Sequence, residues 1–168
     1  SISNITSDAS NLERINRWDC AINMWHEKPF FGFGPGTYMF NYAPYQLNRN
    51  RTMISTNAGD LGNAHSEYLS ALSESGIFGL ISFILIIITV LYTAIKTYKR
   101  LTDKRLRALI LAAVTGLVTY YIHGFLNNFL DTDKLSVPFW GFTAIIVAVD
   151  LCSRGKFANS SLLQDKSR

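Results

Sequence analysis

Two uncharged stretches govern what this chain can fold into. Ile77 to Ile95 carries no charge, nor does Ala108 to Leu130, and Leu135 to Val149 forms a third, shorter block. A bilayer core takes roughly 20 apolar residues per helix, so the first two blocks qualify outright. The third qualifies if Asp150 and its neighbours sit at the interface. Only helices and closed barrels satisfy their backbone groups inside lipid, and blocks of this length are helical. The expectation is an all-α membrane protein with spans at about 77–95, 108–130 and 135–152, together occupying residues 76–152.

Charge placement orients the spans. Lys96, Lys99, Arg100, Lys104, Arg105 and Arg107 crowd the link between the first two blocks, whereas Asp131 to Lys134 holds a single cation. By the positive-inside rule the basic link is cytoplasmic. The tail, 153–168, then lies on the same side, and residues 1–75 form an extracytoplasmic, periplasmic region. The net charge of +4 follows from this topology. Nucleic acid is excluded as a partner, because the cations flank the membrane, where anionic lipid accounts for them. The chain opens at Ser1 without a basic n-region or cleavage motif, and reads as the C-terminal part of a longer polytopic protein, a fragment of a larger helical bundle. Cys20 and Cys152 fall on opposite faces and are not expected to pair. They offer no metal site, and no cofactor is expected.

Ahead of the spans, Ser10-x-x-Glu13 spells a capping box. Leu12, Ile15, Trp18, Ile22 and Trp25 follow at three- and four-residue spacing until Pro29, which predicts an amphipathic helix over 11–28. Its Trp residues, with Phe30, Phe31 and Phe33 beyond, suit either the headgroup layer or a packed core. Phe30 to Gly36 is a glycine-rich turn. A dinucleotide site is rejected there, because a helix rather than a strand precedes it and Pro35 interrupts it. Residues 37–62 mix aromatics with small polar residues without a period and read as a long external loop of the kind that serves as a lid or binding segment. Asn63 is expected to cap a helix that runs through His65 and continues unbroken into the first span. That would put His65, Leu72, Gly76, Gly79 and Phe83 on one face, with the glycines permitting close helix approach.

His65-Ser66, nine residues, then Gly76-x-x-Gly79 resembles the signature of the O-antigen ligase and O-antigen polymerase family. Arg14-x-x-x-Trp18 and Pro29-Phe30-Phe31-Gly32-Phe33-Gly34-Pro35-Gly36 are similar to the family's upstream motifs, in the same order, and Glu74 matches its acidic position. The resemblance implies a polytopic inner-membrane glycosyltransferase of bacteria. Such enzymes move a glycan from an undecaprenyl-diphosphate carrier to lipid A-core sugar, a growing polysaccharide or a protein hydroxyl. It implies His65 as general base, its ordinary pKa of about 6.5 being suited to neutral pH. Without the motif a structural histidine is the simpler account.

The remaining site expectations follow from residue type. Arg14 is the expected contact for the carrier diphosphate, since a guanidinium brings bidentate donors and a permanent charge. Arg17, one turn on, either assists or is an ordinary exposed helix cation. Glu74 either pairs with an arginine, orients a helix or merely sits in the headgroup zone, and is expected to be a supporting residue at most. Tyr68 and Ser66 line the site or simply pack. His123, with Asn127 and Asn128, reads as a hydrogen-bonded packing cluster, and His26 as a partner of its helix terminus. A non-catalytic membrane anchor or glycan-binding module is the competing function, and a fragment lacking the upstream helices is expected to be inactive alone. A transporter is disfavoured because the spans carry only His123 as an ionisable group and show no internal repeat.

Overall fold

The structure is a computed structural model that describes residues 2–52, 55–56, 62–130 and 132–165. Among these residues every regular element is helical. Helix α1 spans Ile2–Glu27, α2 Tyr38–Asn41, α3 Glu67–Arg100, α4 Lys104–His123 and α5 Asp133–Asp165, with 3-10 turns at Ala43–Tyr45 and Asn48–Asn50. The all-α membrane fold is thereby established. Three helical segments are long and apolar enough to span a bilayer: Glu67–Arg100, Lys104–His123 and Lys134–Gly155. The chain forms two compact units, one of Ser1–Ile84 with His123–Thr132, the other of Leu85–Ile122 with Asp133–Arg168.

In the first unit α1 begins at Ile2, not at residue 11. No Gly or Pro occurs before Pro29, so nothing stops the helix from extending through Ser10, and the Glu13 carboxylate of the supposed capping box is turned elsewhere. The face it buries also differs from the expected stripe. Ile15 and Ile22 point outward, at 45% and 37% exposure, while Glu13, Asn16, Arg17, Cys20, Ala21 and Met24 are buried. These positions recur every three or four residues, as one face of a helix requires. Tyr38 and Tyr42 stack on each other at 5.5 Å and join Cys20, Ala21, Met24 and Ala64 in the core of this unit. Met53, Ile54 and residues 57–61 of the expected loop lie outside the described residues.

The helix bearing the histidine motif is not the unbroken rod that the spacing predicts. Helix α3 starts at Glu67, with His65 in the bend before it, and Gly76 interrupts it at φ 68°, ψ −164°. The glycine-rich turn docks into that break. Phe33 N–H donates to the Ser73 carbonyl (3.1 Å), Gly34 N–H to Glu74 (2.7 Å), and Ile77 N–H to Pro29 (2.8 Å). A Cβ on Gly76 would lie 2.2 Å from the Phe30 carbonyl oxygen, and one on Gly32 would lie 2.4 Å from the Glu74 carbonyl carbon. The two glycine motifs therefore form a single backbone-to-backbone joint, not a turn plus a smooth track. Gly79 completes it by leaving room for Ser75, whose Cβ a side chain there would meet at 2.2 Å. Phe30 and Phe31 stand 61% and 79% exposed and pack against Phe78 just beyond the break.

The expected second span, 108–130, ends at His123. Gly124 and the Asn127-Asn128 pair leave the helix, and the following loop closes over the head of α3. The Gly124 carbonyl accepts from Glu67 N–H at 2.9 Å, and Asn128 Oδ1 accepts from Ser66 N–H at 2.6 Å. Orphan donors of a helix start are satisfied in this way. Asn128 is buried, as the packing-cluster reading requires, but His123 is exposed and stands apart from it.

In the second unit Tyr120 and Tyr121 pack on Phe139, and Asp150, buried at 4% exposure, binds α3 to α5. It accepts from Thr97 (2.7 Å) and Arg100 (2.6 Å) and pairs with Arg154 (2.8 Å). A buried carboxylate is tolerated when it is matched in this manner. The end of the expected tail, residues 166–168, lies outside the described residues.

Candidate active site

The buried face of α1 is a polar assembly. Arg17 is 2% exposed, which rules out the exposed-cation reading. Its Nε donates to Glu13 Oε1 at 2.7 Å, its Nη2 to Thr56 Oγ1 at 2.7 Å, and its guanidinium lies 4.0 Å above the Tyr42 ring. Burial alone would lower the Arg17 pKa, but its contacts with Tyr42 and Glu13 outweigh this and raise it. The other Glu13 oxygen accepts from the Ser55 hydroxyl. Asn16 donates to Gln46 (3.0 Å), Gln46 to the Thr56 carbonyl (2.8 Å), and the Tyr38 hydroxyl to the Arg17 carbonyl (2.8 Å). Every one of these contacts restrains Arg17 or the loop facing it. Yet Arg17 Nη1 is buried without a hydrogen-bond partner among the described residues. An unsatisfied guanidinium donor is costly in the absence of an acceptor and available to one that arrives.

His65 stands over this assembly. Among the described residues it is the one non-glycine with positive φ, at 47°, a left-handed conformation that costs an ordinary residue about 1 kcal/mol or more and persists only where its surroundings impose it. They do so here. Asn63 Oδ1 accepts its N–H at 3.1 Å, Trp18 Nε1 donates to its carbonyl at 3.3 Å, and the next two amides are held by Asn128 and Gly124. The Arg-x-x-x-Trp motif acquires a mechanical meaning, with its Trp pinning the histidine backbone. The imidazole itself has no hydrogen-bond partner among the described residues. Its pKa is lowered first by burial, then by the positive charges of Arg17 and Arg14, with Glu13 opposing. At neutral pH it is an unprotonated base beside two cations.

Arg14 is half-buried and pairs with no described carboxylate. Ser66 is buried and caps α3, its Oγ facing Leu69 N–H at 3.4 Å. The Tyr68 ring stacks on Phe125 at 4.1 Å and meets Phe83 edge-on at 5.4 Å, as a packing residue does. Glu74 holds the glycine joint, its two oxygens each accepting one N–H at 2.9 Å, from Gly36 and from Tyr38. Of the three alternatives its position left open, no arginine pair forms among the described residues; the carboxylate instead holds the amides at the start of α2. Charge-assisted bonds of this kind contribute roughly 1.5–3 kcal/mol each when shielded. Glu74→Ala is expected to lower stability by about 1–3 kcal/mol, measured as a fall in Tm of the purified protein in detergent, with transfer reduced in proportion.

Burial pushes the Cys20 thiol up to about 11, so it is no nucleophile near pH 7. Glu13, Asn16, Tyr42, Gln46, Ser55 and Thr56 are site residues that sequence patterning did not single out. Glu13, Asn16 and Arg17 leave a legible signal, a polar stripe at helical spacing beside a motif arginine.

The fold is that of a helical protein with three helices long and apolar enough to span a membrane, and its first unit brings the His65 imidazole beside the Arg14 and Arg17 guanidiniums. The family model for O-antigen ligase matches residues 1–84, half of the 168-residue chain and all of the site except the loop from α4, and the chain belongs to that family. Its general kind is an enzyme of glycan ligation or polymerisation. Comparison with curated proteins and with solved structures gives no match.

Proposed function

We propose that this chain carries the acceptor-activating half of a glycosyltransferase that takes a glycan from undecaprenyl diphosphate. His65 removes the proton from the acceptor hydroxyl as that oxygen attacks the anomeric carbon. The bond from that carbon to the diphosphate oxygen breaks, and its electron pair leaves with the diphosphate. Arg14 and the free Nη1 of Arg17 receive the developing negative charge. The acceptor is lipid A-core sugar, a polysaccharide end or a protein hydroxyl. On this reading residues 1–75 face the periplasm of a bacterial inner membrane. The exposed Phe30, Phe31 and Phe78 cluster sits in the headgroup layer, where a lipid-linked donor presents its diphosphate.

The observation that carries the reading is the unpartnered, pKa-depressed His65 imidazole, fixed in a left-handed bend beside two guanidiniums. Its test is the pH profile of transfer. A base with a lowered pKa gives an acid limb whose midpoint falls below 6.5, with activity rising through it and level above. Arg14→Gln removes one of the charges that depress it. The limb is expected to move to higher pH while the rate on the plateau falls. An acid limb that stays in place in this variant would detach Arg14 from His65, and a profile without an acid limb would remove His65 as base.

A further inference from the structure

We propose that the basic end of the second unit binds one anionic phospholipid, its phosphate on Lys104 and Arg107 and an acyl chain in the groove alongside. This goes beyond the transfer reaction and does not depend on it.

Two concavities adjoin there. One, of about 180 Å³, is walled by Ala94, Ile95, Ile110, Leu111 and Val114. The other, of about 310 Å³, is walled by Tyr98, Lys104, Arg107 and Ala108. Tyr98 and Leu111 belong to both, so an apolar channel opens onto a cationic mouth, which is the polarity sequence of a phospholipid running from chain to headgroup.

The cations of this end divide into two groups. Arg100 and Arg154 are both ion-paired with Asp150. Lys99, Lys104 and Arg107 have no ion pair among the described residues. Arg107 is further constrained, its guanidinium lying 4.4 Å above the Tyr98 ring and its Nε buried without an acceptor among the described residues. A buried donor without a partner is open to an acceptor brought by a ligand. Basic pockets between membrane helices are suited to anionic headgroups, and free cations beside an apolar slot select a charged lipid over a zwitterionic one.

The test uses the intact protein in nanodiscs of phosphatidylglycerol or phosphatidylcholine, with lipid retention measured by native mass spectrometry. Wild type is expected to retain one phosphatidylglycerol in preference to phosphatidylcholine. Lys104→Gln with Arg107→Gln should lower that retention roughly 25-fold, at about fivefold per cation removed. Leu111→Trp, which fills the slot and keeps the charges, should lower it independently, and Arg107→Lys should keep most of it. Equal retention of the two lipids would overturn the proposal. So would unchanged retention in the Leu111→Trp variant, displacement by millimolar inorganic phosphate alone, or cross-linking of Leu111→Cys to another protein helix in place of lipid.

Discussion

His65→Asn is expected to abolish glycan transfer while leaving the fold intact. General-base catalysis is worth about 10²–10⁴-fold in rate, and on the proposed reading the His65 imidazole is the group that takes the proton. Cys20 is pushed out of range, and burial raises the Tyr38 phenol as well. Asn is the informative replacement because the backbone at this position is left-handed and Asn tolerates that conformation better than Ala. The restraints on the bend run through backbone atoms: the N–H to Asn63 and the carbonyl to Trp18. Both survive the substitution. The unfolding midpoint in detergent should therefore match wild type within a degree or two, and transfer from a lipid-linked donor should fall by at least a hundredfold. A well-inserted His65→Asn protein that transfers at near-normal rate would end the general-base assignment.

The spans were legible because lipid imposes a composition that sequence reports directly: α3 and α5 each contain one of the uncharged blocks and α4 contains most of the other. Their ends were less so. The segment 124–130 is as free of Lys, Arg, Asp and Glu as what precedes it, and the tertiary fit of Gly124 and Asn128 to the head of α3 accompanies its departure from the helix. The amphipathic stripe on α1 left the headgroup layer and a packed core equally open. Patterning assumes that the apolar face is buried, whereas here the buried face is held by ionic and hydrogen-bonded partners drawn from a loop some 30 to 40 residues on. Leu12, Ile15 and Ile22 spell a helix correctly, and Ile15 and Ile22 face away from its packed side.

The candidate residues of the proposed site can be named from sequence, but their arrangement cannot. His65, Arg14, Arg17, Glu74 and the glycines could all be named, but spacing along a supposed continuous helix placed His65 above Gly76 on one face. A glycine whose φ must be positive carries no periodic signature, so the break at Gly76 and the bend at His65 both escape a helical-wheel argument. The depressed His65 pKa arises first from burial and then from the Arg17 and Arg14 charges on α1, about fifty residues away in sequence, and only the folded unit brings these causes together.

Gly76→Ala is expected to be the most damaging single substitution to the architecture of the site. At φ 68°, ψ −164° the residue occupies a region open essentially to glycine alone, which costs any other residue about 1–3 kcal/mol. The added methyl would also stand 2.2 Å from the Phe30 carbonyl oxygen, a backbone atom that no side-chain rotation can move. The glycine-rich turn must then lift away from α3, stretching the Phe33, Gly34 and Ile77 hydrogen bonds, each worth about 0.5–1.5 kcal/mol net. Together these put the loss at roughly 3–6 kcal/mol. Gly32→Ala meets the same joint from the other side, at 2.4 Å, and should behave alike. Gly36→Ala is the control: its Cβ would meet nothing within 4 Å and only its φ of +71° is strained, so its loss should stay near 1 kcal/mol. Thermal melts and transfer assays on the three variants therefore separate close approach from local strain. Equal, mild effects at all three positions would show that the two glycine motifs do not depend on each other. A steep loss at Gly76 and Gly32 alone would make the joint the reason one chain carries both.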